Sequence, residues 1–103
     1  MDITADILLM LAAFSLRTLF IKKAIVYGQA GVAIYPEDHR FREILAYALL
    51  LDGKVDEAAT VAEEAQRDTR NLAYLKARIA MLGNYSLAER QSALRAYLGK
   101  VSG

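Results

Sequence analysis

The chain of 103 residues contains no cysteine, and it has only one proline and one histidine. The absence of cysteine excludes disulfide bonds and thiolate chemistry, and it fits a cytoplasmic protein. The single histidine, His39, excludes a metal site built from several imidazoles, so we expect no metal and a surface position for His39 at the start of a helix. Catalysis by His39 is the less favoured interpretation.

No excess of charge of one sign is present. Lysine and arginine number 13 and aspartate and glutamate 12, which gives a formal net charge of +1. No broad electrostatic field therefore favours nucleic acid or an anionic membrane as a partner. The arginines of the second half follow no recognition-helix pattern, and there is no phosphate loop, nucleophile elbow or paired acid with a base. We expect a protein that is not an enzyme, binds no cofactor and binds no nucleic acid.

Long hydrophobic runs are also missing. The longest candidate, Ile7 to Leu16, ends at Arg17, whereas a membrane span needs about 18–20 apolar residues. Asp2 and Asp6 stand where a secretory signal would carry positive charge, so a cleaved signal is disfavoured. We expect this run to form a buried first helix, with no membrane as partner.

Apolar residues, by contrast, make up 55% of the chain. Average globular domains have about 45–50%, so part of the apolar surface is expected to meet a partner. Glycine, proline and acidic residues divide the chain into six helices with short joints and no strand pattern. The predicted helices cover about residues 4–18, 20–35, 37–51, 54–67, 71–82 and 85–98. The sequence therefore predicts a single all-α domain over residues 1–103.

Two segments of the chain match when Leu11 and Ala12 are laid on Leu45 and Ala46, an offset of 34. Further pairs matched at this offset are Leu16 with Leu50, Ile21 with Val55 and Ala24 with Ala58. Leu19 stands where the second segment has the turn residue Gly53. A third segment appears when "GNYSLA" is laid on "GKVDEA" at an offset of 30. The units are approximately 4–36, 37–69 and 70–98, and an ordinary helical bundle remains the alternative.

This period and order of residues resembles the tetratricopeptide pattern. The resemblance implies three degenerate helical hairpins that form a short right-handed solenoid with a concave groove. In that frame, the groove is lined by the first helix of each hairpin. The positions expected to bind a partner there are Leu9, Ala13 and Leu16 in the first unit, Tyr47, Leu50 and Leu51 in the second, and Ala73, Ala77 and Met81 in the third.

The middle of the expected groove is apolar and its mouth is charged. Repeat domains that hold a terminal carboxylate place Lys, Arg and Asn where this chain has Leu9, Glu43 and Ala73, so a carboxylate clamp is not expected. An apolar trough suits an amphipathic helix, which anchors through side chains at i, i+3, i+4 and i+7. The alternative is that leucines such as Leu50 belong only to the core.

A chain of this length with a shortened third unit is similar to the small chaperones of bacterial type III secretion systems. The likeness rests on "KKAIVYGQAGVAIYPEDHRF", "ALLLDGKVDEA" and "YLKARIAMLGNYSLAERQSALRAYLG". It is greatest to the needle-subunit chaperones of the YscG, PscG and EscG type, with the YscY type as a second candidate.

This resemblance implies a cytoplasmic chaperone that holds the amphipathic helix of a small helical secretion substrate and prevents premature polymerisation. A second small helical co-chaperone is the other implied partner. Two further functions remain open from the sequence, namely a general scaffold for protein–protein interaction and a small helical nucleic-acid-binding protein.

Overall fold

The computed structural model describes residues 3–65, 69–83 and 85–102, and it confirms the all-α class. These residues contain six helices and no strand. The helices are α1 (Ile3–Arg17), α2 (Ile21–Ile34), α3 (His39–Leu51), α4 (Val55–Glu63), α5 (Arg70–Leu82) and α6 (Leu87–Ser102). The six predicted helices are all present, although α4 ends earlier than expected and α6 begins and ends later. The last two residues predicted for the fourth helix, Gln66 and Arg67, lie outside the described residues.

Three helices begin with a side-chain cap. Asp38 accepts a hydrogen bond from the backbone N–H of Arg40, and Thr69 accepts one from the N–H of Leu72 at 3.1 Å. At α6, the Ser86 hydroxyl accepts from the N–H of Glu89 and donates to its carboxylate, both at 3.2 Å. Such caps satisfy backbone donors that a helix leaves unpaired in its first turn, and each is typically worth about 1 kcal/mol. They fix where α3, α5 and α6 begin.

The α1–α2 and α3–α4 turns have the same backbone geometry at matching positions of the first two units. Leu19 and Gly53 both have positive φ, 63° and 81°. Four backbone hydrogen bonds recur in both turns at an offset of 34. In the first turn the N–H groups of Thr18, Leu19, Phe20 and Ala24 donate to the carbonyls of Phe14, Leu16, Ser15 and Phe20. In the second turn the N–H groups of Asp52, Gly53, Lys54 and Ala58 donate to the carbonyls of Ala48, Leu50, Leu49 and Lys54. Bonds of this kind around a left-handed residue form the Schellman motif that ends many helices.

The third turn does not follow this geometry. Gly83, which the sequence aligned with Gly53, has φ −86° and ψ −177°. Its N–H donates to Ile79 O at 2.7 Å. The N-cap residues of α4 and α6, Lys54 and Ser86, stand at an offset of 32 rather than 30. Ala88 is exposed, whereas its expected counterpart Ala58 is fully buried. The offset of 30 is therefore wrong at the α5–α6 turn.

Helix packing follows the order of the chain. Each helix packs against the next one, and α3 also packs against α1 and α5. The core therefore centres on α3, which buries Phe41, Leu45 and Leu49. Phe41 and Leu72 are the largest side chains with essentially no exposure. The result is a compact stack of 41 × 28 × 21 Å.

Helices α2 and α3 approach each other closely at two glycines. A Cβ on Gly31 would lie 2.0 Å from Cδ1 of Phe41, and one on Gly28 would lie 3.1 Å from Cβ of Leu45. The Phe41 ring occupies the space that a side chain at Gly31 would fill, and it stacks on Tyr35 with 5.8 Å between ring centroids. Glycine is thus required at residue 31 by packing and not by backbone conformation, because residue 31 lies inside a regular helix.

Within the described residues, no helix has both the length and the apolar content that crossing a bilayer requires.

Candidate functional site

The most apolar concave surface is a groove formed by the alternate helices α1, α3 and α5. Its volume is about 550 Å³. The lining residues are Leu9, Ala13, Leu16 and Arg17 from α1, Arg40, Glu43, Ile44 and Tyr47 from α3, and Asn71, Tyr74 and Leu75 from α5. We call this surface the groove.

The floor of the groove is apolar and partly open. Leu16 and Tyr47 are half-buried and pack against the core with one side. Leu9, Ala13 and Ile44 are also half-buried, so their side chains remain partly available to a ligand. Apolar surface that is already held in place by a core can bind a partner with little loss of conformational entropy. The floor is therefore suited to an apolar side chain from another molecule.

Arg40 forms a charged cluster at the rim. Its Nη2 lies 2.7 Å from Oδ2 of Asp38 and 3.1 Å from Oδ1 of Asp6, so it joins the start of α3 to α1. The hydrogen bond from Arg40 holds the pKa of Asp38 below its ordinary value, against an opposing effect of burial. The same two carboxylates raise the pKa of Arg40. Asp6 and Arg40 occupy equivalent positions of the first two units, so the pair links those units directly.

Glu43 is a second polar group of the groove that is bound within the chain. Its Oε1 accepts a hydrogen bond from the hydroxyl of Thr69, the residue that caps α5. This bond joins α3 to the start of α5, as the Asp6–Arg40 pair joins α3 to α1. Helices α1 and α3, and α3 and the start of α5, are thus linked by polar contacts beside the groove. Arg40 and Glu43 already have partners, and Arg17, Asn71 and Tyr74 are the other polar residues beside the apolar floor of the groove.

Arg40 also lines a second cavity, of about 670 Å³, beside the loop that follows α2. Although this cavity is larger by volume than the groove, three of its eight lining residues are the carboxylates Asp6, Glu37 and Asp38. Two of these carboxylates are already paired with Arg40. We therefore take the groove, with its broad apolar floor, as the candidate site.

Four of the nine positions predicted from the sequence line the groove. They are Leu9, Ala13, Leu16 and Tyr47. The matching of the first two segments predicts that these four share one concave surface, and they do, because α1 and α3 have the same turn after them.

Leu50 and Leu51 are not in the groove. Leu50 is only 5% exposed and belongs to the core, so the expectation that it is open in the free chain is wrong. Leu51, the last residue of α3, is 39% exposed but does not line the groove. The groove surface of α3 ends at Tyr47, because the last turn of the helix packs against its neighbours.

The groove positions predicted on α5 stand one residue before the positions that correspond to α3 in the structure. Ala73 and Ala77 are buried, and Met81 is exposed outside the groove. Helix α5 follows α3 at an offset of 31, as the N-cap residues Asp38 and Thr69 show. One residue rotates a helical position by about 100°, which turns the predicted alanines into the core.

The groove residues missed by the sequence prediction follow from the same displacement. At an offset of 31, Arg40 corresponds to Asn71 and Ile44 to Leu75, and all four line the groove. Tyr74 likewise corresponds to Glu43. Phe41 and Leu72, the two largest fully buried residues, have the same spacing of 31, which the structure shows and the sequence alone did not single out.

No cluster of three or more metal-ligating side chains occurs among the described residues. His39 is the first residue of α3 and is half-buried, which agrees with the helix start expected for it but not with full exposure.

The fold and the groove define a class, an all-α protein in which alternate helices form an apolar trough. No protein-family model, curated protein or solved structure matches the chain.

Proposed function

We propose that the chain is a tetratricopeptide-like chaperone of a type III secretion system that holds an amphipathic helix of a small export substrate in the groove. The substrate we favour is the needle subunit. The observation that carries this proposal is the groove itself, a largely apolar trough crossing α1, α3 and α5.

A short solenoid is the arrangement we propose for the six helices. Two features support it, namely the equal geometry of the first two turns and the serial packing of α1, α3 and α5. In repeat proteins each unit contacts mainly its neighbours, and such stacking forms a continuous binding surface.

The dimensions of the groove suit a helix of a few turns. Packed helices lie about 8–10 Å apart, so a path across three of them measures roughly 20 Å. A helix rises about 1.5 Å per residue, so such a path accommodates about 13 residues. A client of this length can place apolar anchors at i, i+4, i+7 and i+11 on the floor. Its polar face would remain in solvent.

The mechanism is occlusion. A helix that would otherwise polymerise is covered by Leu9, Leu16 and Tyr47, and its own apolar side chains leave water. The polar groups nearest the floor, Arg40 and Glu43, are bound within the chain, so they need no partner from the client. In this proposal the complex forms in the cytoplasm before export, and a second small helical co-chaperone accompanies the chain.

Affinity capture after co-expression with small helical secretion substrates, including a needle subunit, tests the proposal. Ala13→Glu places a carboxylate in the groove, and Ala96→Glu places one on the exposed side of α6. We expect the parent and Ala96→Glu to retain the needle subunit and Ala13→Glu to lose it. Equal capture by the two variants would exclude the groove as the binding site. Failure of the parent chain to capture any of these substrates would refute the chaperone function.

A further inference from the structure

Helix α1 has more apolar surface than the fold covers. From Ile7 to Leu16 it contains no charged residue, and a helix that is apolar on all sides is normally buried. One side of α1 packs against α2 and α3, and another lines the groove. The remaining side is open to solvent, so the expectation of a buried first helix is wrong for the single chain.

The open side forms a continuous surface that we call the α1 stripe, made of Ile7, Met10, Leu11 and Phe14. These positions have the spacing i, i+3, i+4 and i+7, which places them on one face of a helix. Their exposed fractions lie between 43% and 69%. Soluble proteins seldom leave four large neighbouring apolar side chains open without an interaction partner.

We infer that the α1 stripe is the interface between two copies of this chain, paired with their α1 helices antiparallel. A two-fold axis between Met10 and Leu11 places Ile7 of one copy opposite Phe14 of the other. Met10 then meets Leu11 of the second copy. A symmetric dimer uses one patch twice, so the patch must be complementary to itself. The stripe meets this condition, because each of its four apolar side chains faces another apolar side chain of the second copy, Ile7 against Phe14 and Met10 against Leu11.

The charges beside the stripe agree with an antiparallel pair. Asp6 and Arg17 lie on the same edge of α1, near its two ends. Arg17 is exposed and takes part in none of the ion pairs found among the described residues. The two-fold axis brings Arg17 of one copy next to Asp6 of the other, twice in the dimer, and the ion pair of Asp6 with Arg40 within each copy uses only Oδ1 of its carboxylate.

The exposed area of the stripe comes close to what a specific interface needs. Four large side chains, each about half exposed, leave on the order of 400 Å² open per copy. Two copies together bury roughly 800 Å² from these side chains alone. The flanking residues bring the total towards the roughly 1,000 Å² that a specific interface should clear, at the small end of the known range. Leu9 and Leu16 lie on other sides of α1, so the apolar floor of the groove stays open, and Arg17 stands at the edge shared by the groove and the stripe. The inference is independent of the proposed function.

Sedimentation equilibrium of the full chain at tens of micromolar tests the pairing. We expect a dimer for the parent and a monomer for Met10→Glu, because two carboxylates would face apolar side chains at the axis. Leu87→Glu is the matched control, since Leu87 on α6 is 70% exposed and Met10 is 69% exposed. It should dimerise like the parent. We expect Met10→Glu to raise the dissociation constant at least about 30-fold, with unchanged helical circular dichroism.

Cross-linking tests the orientation, and the lack of native cysteine makes it simple. Ile7→Cys and Phe14→Cys copies, mixed and mildly oxidised, should form a disulfide between residues 7 and 14. Neither variant alone should cross-link, because equal positions of the two copies are separated by about 10 Å along the helix, more than a disulfide spans.

Three results would overturn the inference. The first is a parent chain that stays monomeric in this concentration range, as it would if a helix of another protein covers the stripe. The second is dissociation by Leu87→Glu but not by Met10→Glu. The third is cross-linking of residue 7 only to residue 7.

Discussion

Leu19 and Gly53 occupy matching positions of the first two units and have the same left-handed backbone conformation, with φ of 63° and 81°. Glycine takes this conformation without strain, whereas the Cβ of a leucine is crowded by the backbone. The Leu19 side chain is 74% exposed, so packing does not explain its presence. The surrounding Schellman hydrogen bonds hold it in place.

Exchanging the two residue types should change stability in opposite directions. Leu19→Gly removes the crowding and should raise the free energy of unfolding by up to about 1 kcal/mol. Gly53→Leu should lower it by about 1–2 kcal/mol. A Cβ at Gly53 would meet nothing within 4 Å, so the stability lost in Gly53→Leu would come from backbone strain alone. Urea denaturation measures both, and equal midpoints for the two variants would disprove the strain.

Leu50 and Leu51 should differ sharply although they are neighbours. Leu50→Ala removes a core side chain and should lower the free energy of unfolding by about 2–5 kcal/mol. Leu51→Ala, at the partly exposed end of α3, should lower it by less than about 1 kcal/mol. Leu50→Asp should unfold the chain, because the core offers no partner for a carboxylate. Thermal melts followed by circular dichroism decide this, and a folded Leu50→Asp would mean that the residue lies at the surface.

The Asp38–Arg40 ion pair predicts an acid dependence of stability. The pKa of Asp38 is lowered in the folded chain, so the unfolded chain binds its proton first. Stability from this pair is present above the unfolded pKa of about 3.9 and is lost as the pH falls through the lower folded value.

Asp38→Asn keeps an oxygen for capping α3 but removes the charge. Because the Arg40 side chain is 42% exposed and screened by solvent, the variant should lose only about 0.5 kcal/mol at pH 7. The difference from the parent should shrink below about pH 4. Denaturation of the variant and the parent, measured from pH 7 to pH 2, checks this. A constant difference at all pH values would contradict this origin.

Gly31 and Gly99 should respond in opposite ways to alanine. At Gly31 the added methyl would overlap the Phe41 ring, so Gly31→Ala should lower the free energy of unfolding by at least about 2 kcal/mol. At Gly99 nothing lies within 4 Å of the added methyl, so Gly99→Ala should raise helix stability by about 0.5–1 kcal/mol. Equilibrium unfolding of both variants checks this. A neutral Gly31→Ala would show that α2 and α3 can separate slightly without loss.

The helices could be predicted because local residues end them. Asp38 and Thr69 cap helices, Gly53 permits a left-handed turn, and Pro36 cannot continue a helix. These effects act over a single turn of chain and can be read from sequence. The matching of the first two units succeeded for the same reason, since each turn is specified locally.

The third part of the groove could not be predicted in this way. Gly83 and Gly53 look alike in sequence, but only Gly53 has positive φ. An error of one residue then rotated every expected contact on α5 away from the groove. Which face of α5 is buried depends on how Leu72 packs, and this is a property of the whole stack rather than of a short segment.

Helix α6 approaches the backbone of α5 and of no other helix in the described part of the chain. A helix with one neighbour can detach while the other helices keep their contacts, so its opening needs only part of the global unfolding free energy. Amide hydrogens of α6 should therefore exchange with solvent faster than those of α3, which has neighbours on several sides. Helix α6 would then open before α3, and one melting temperature would not describe both helices.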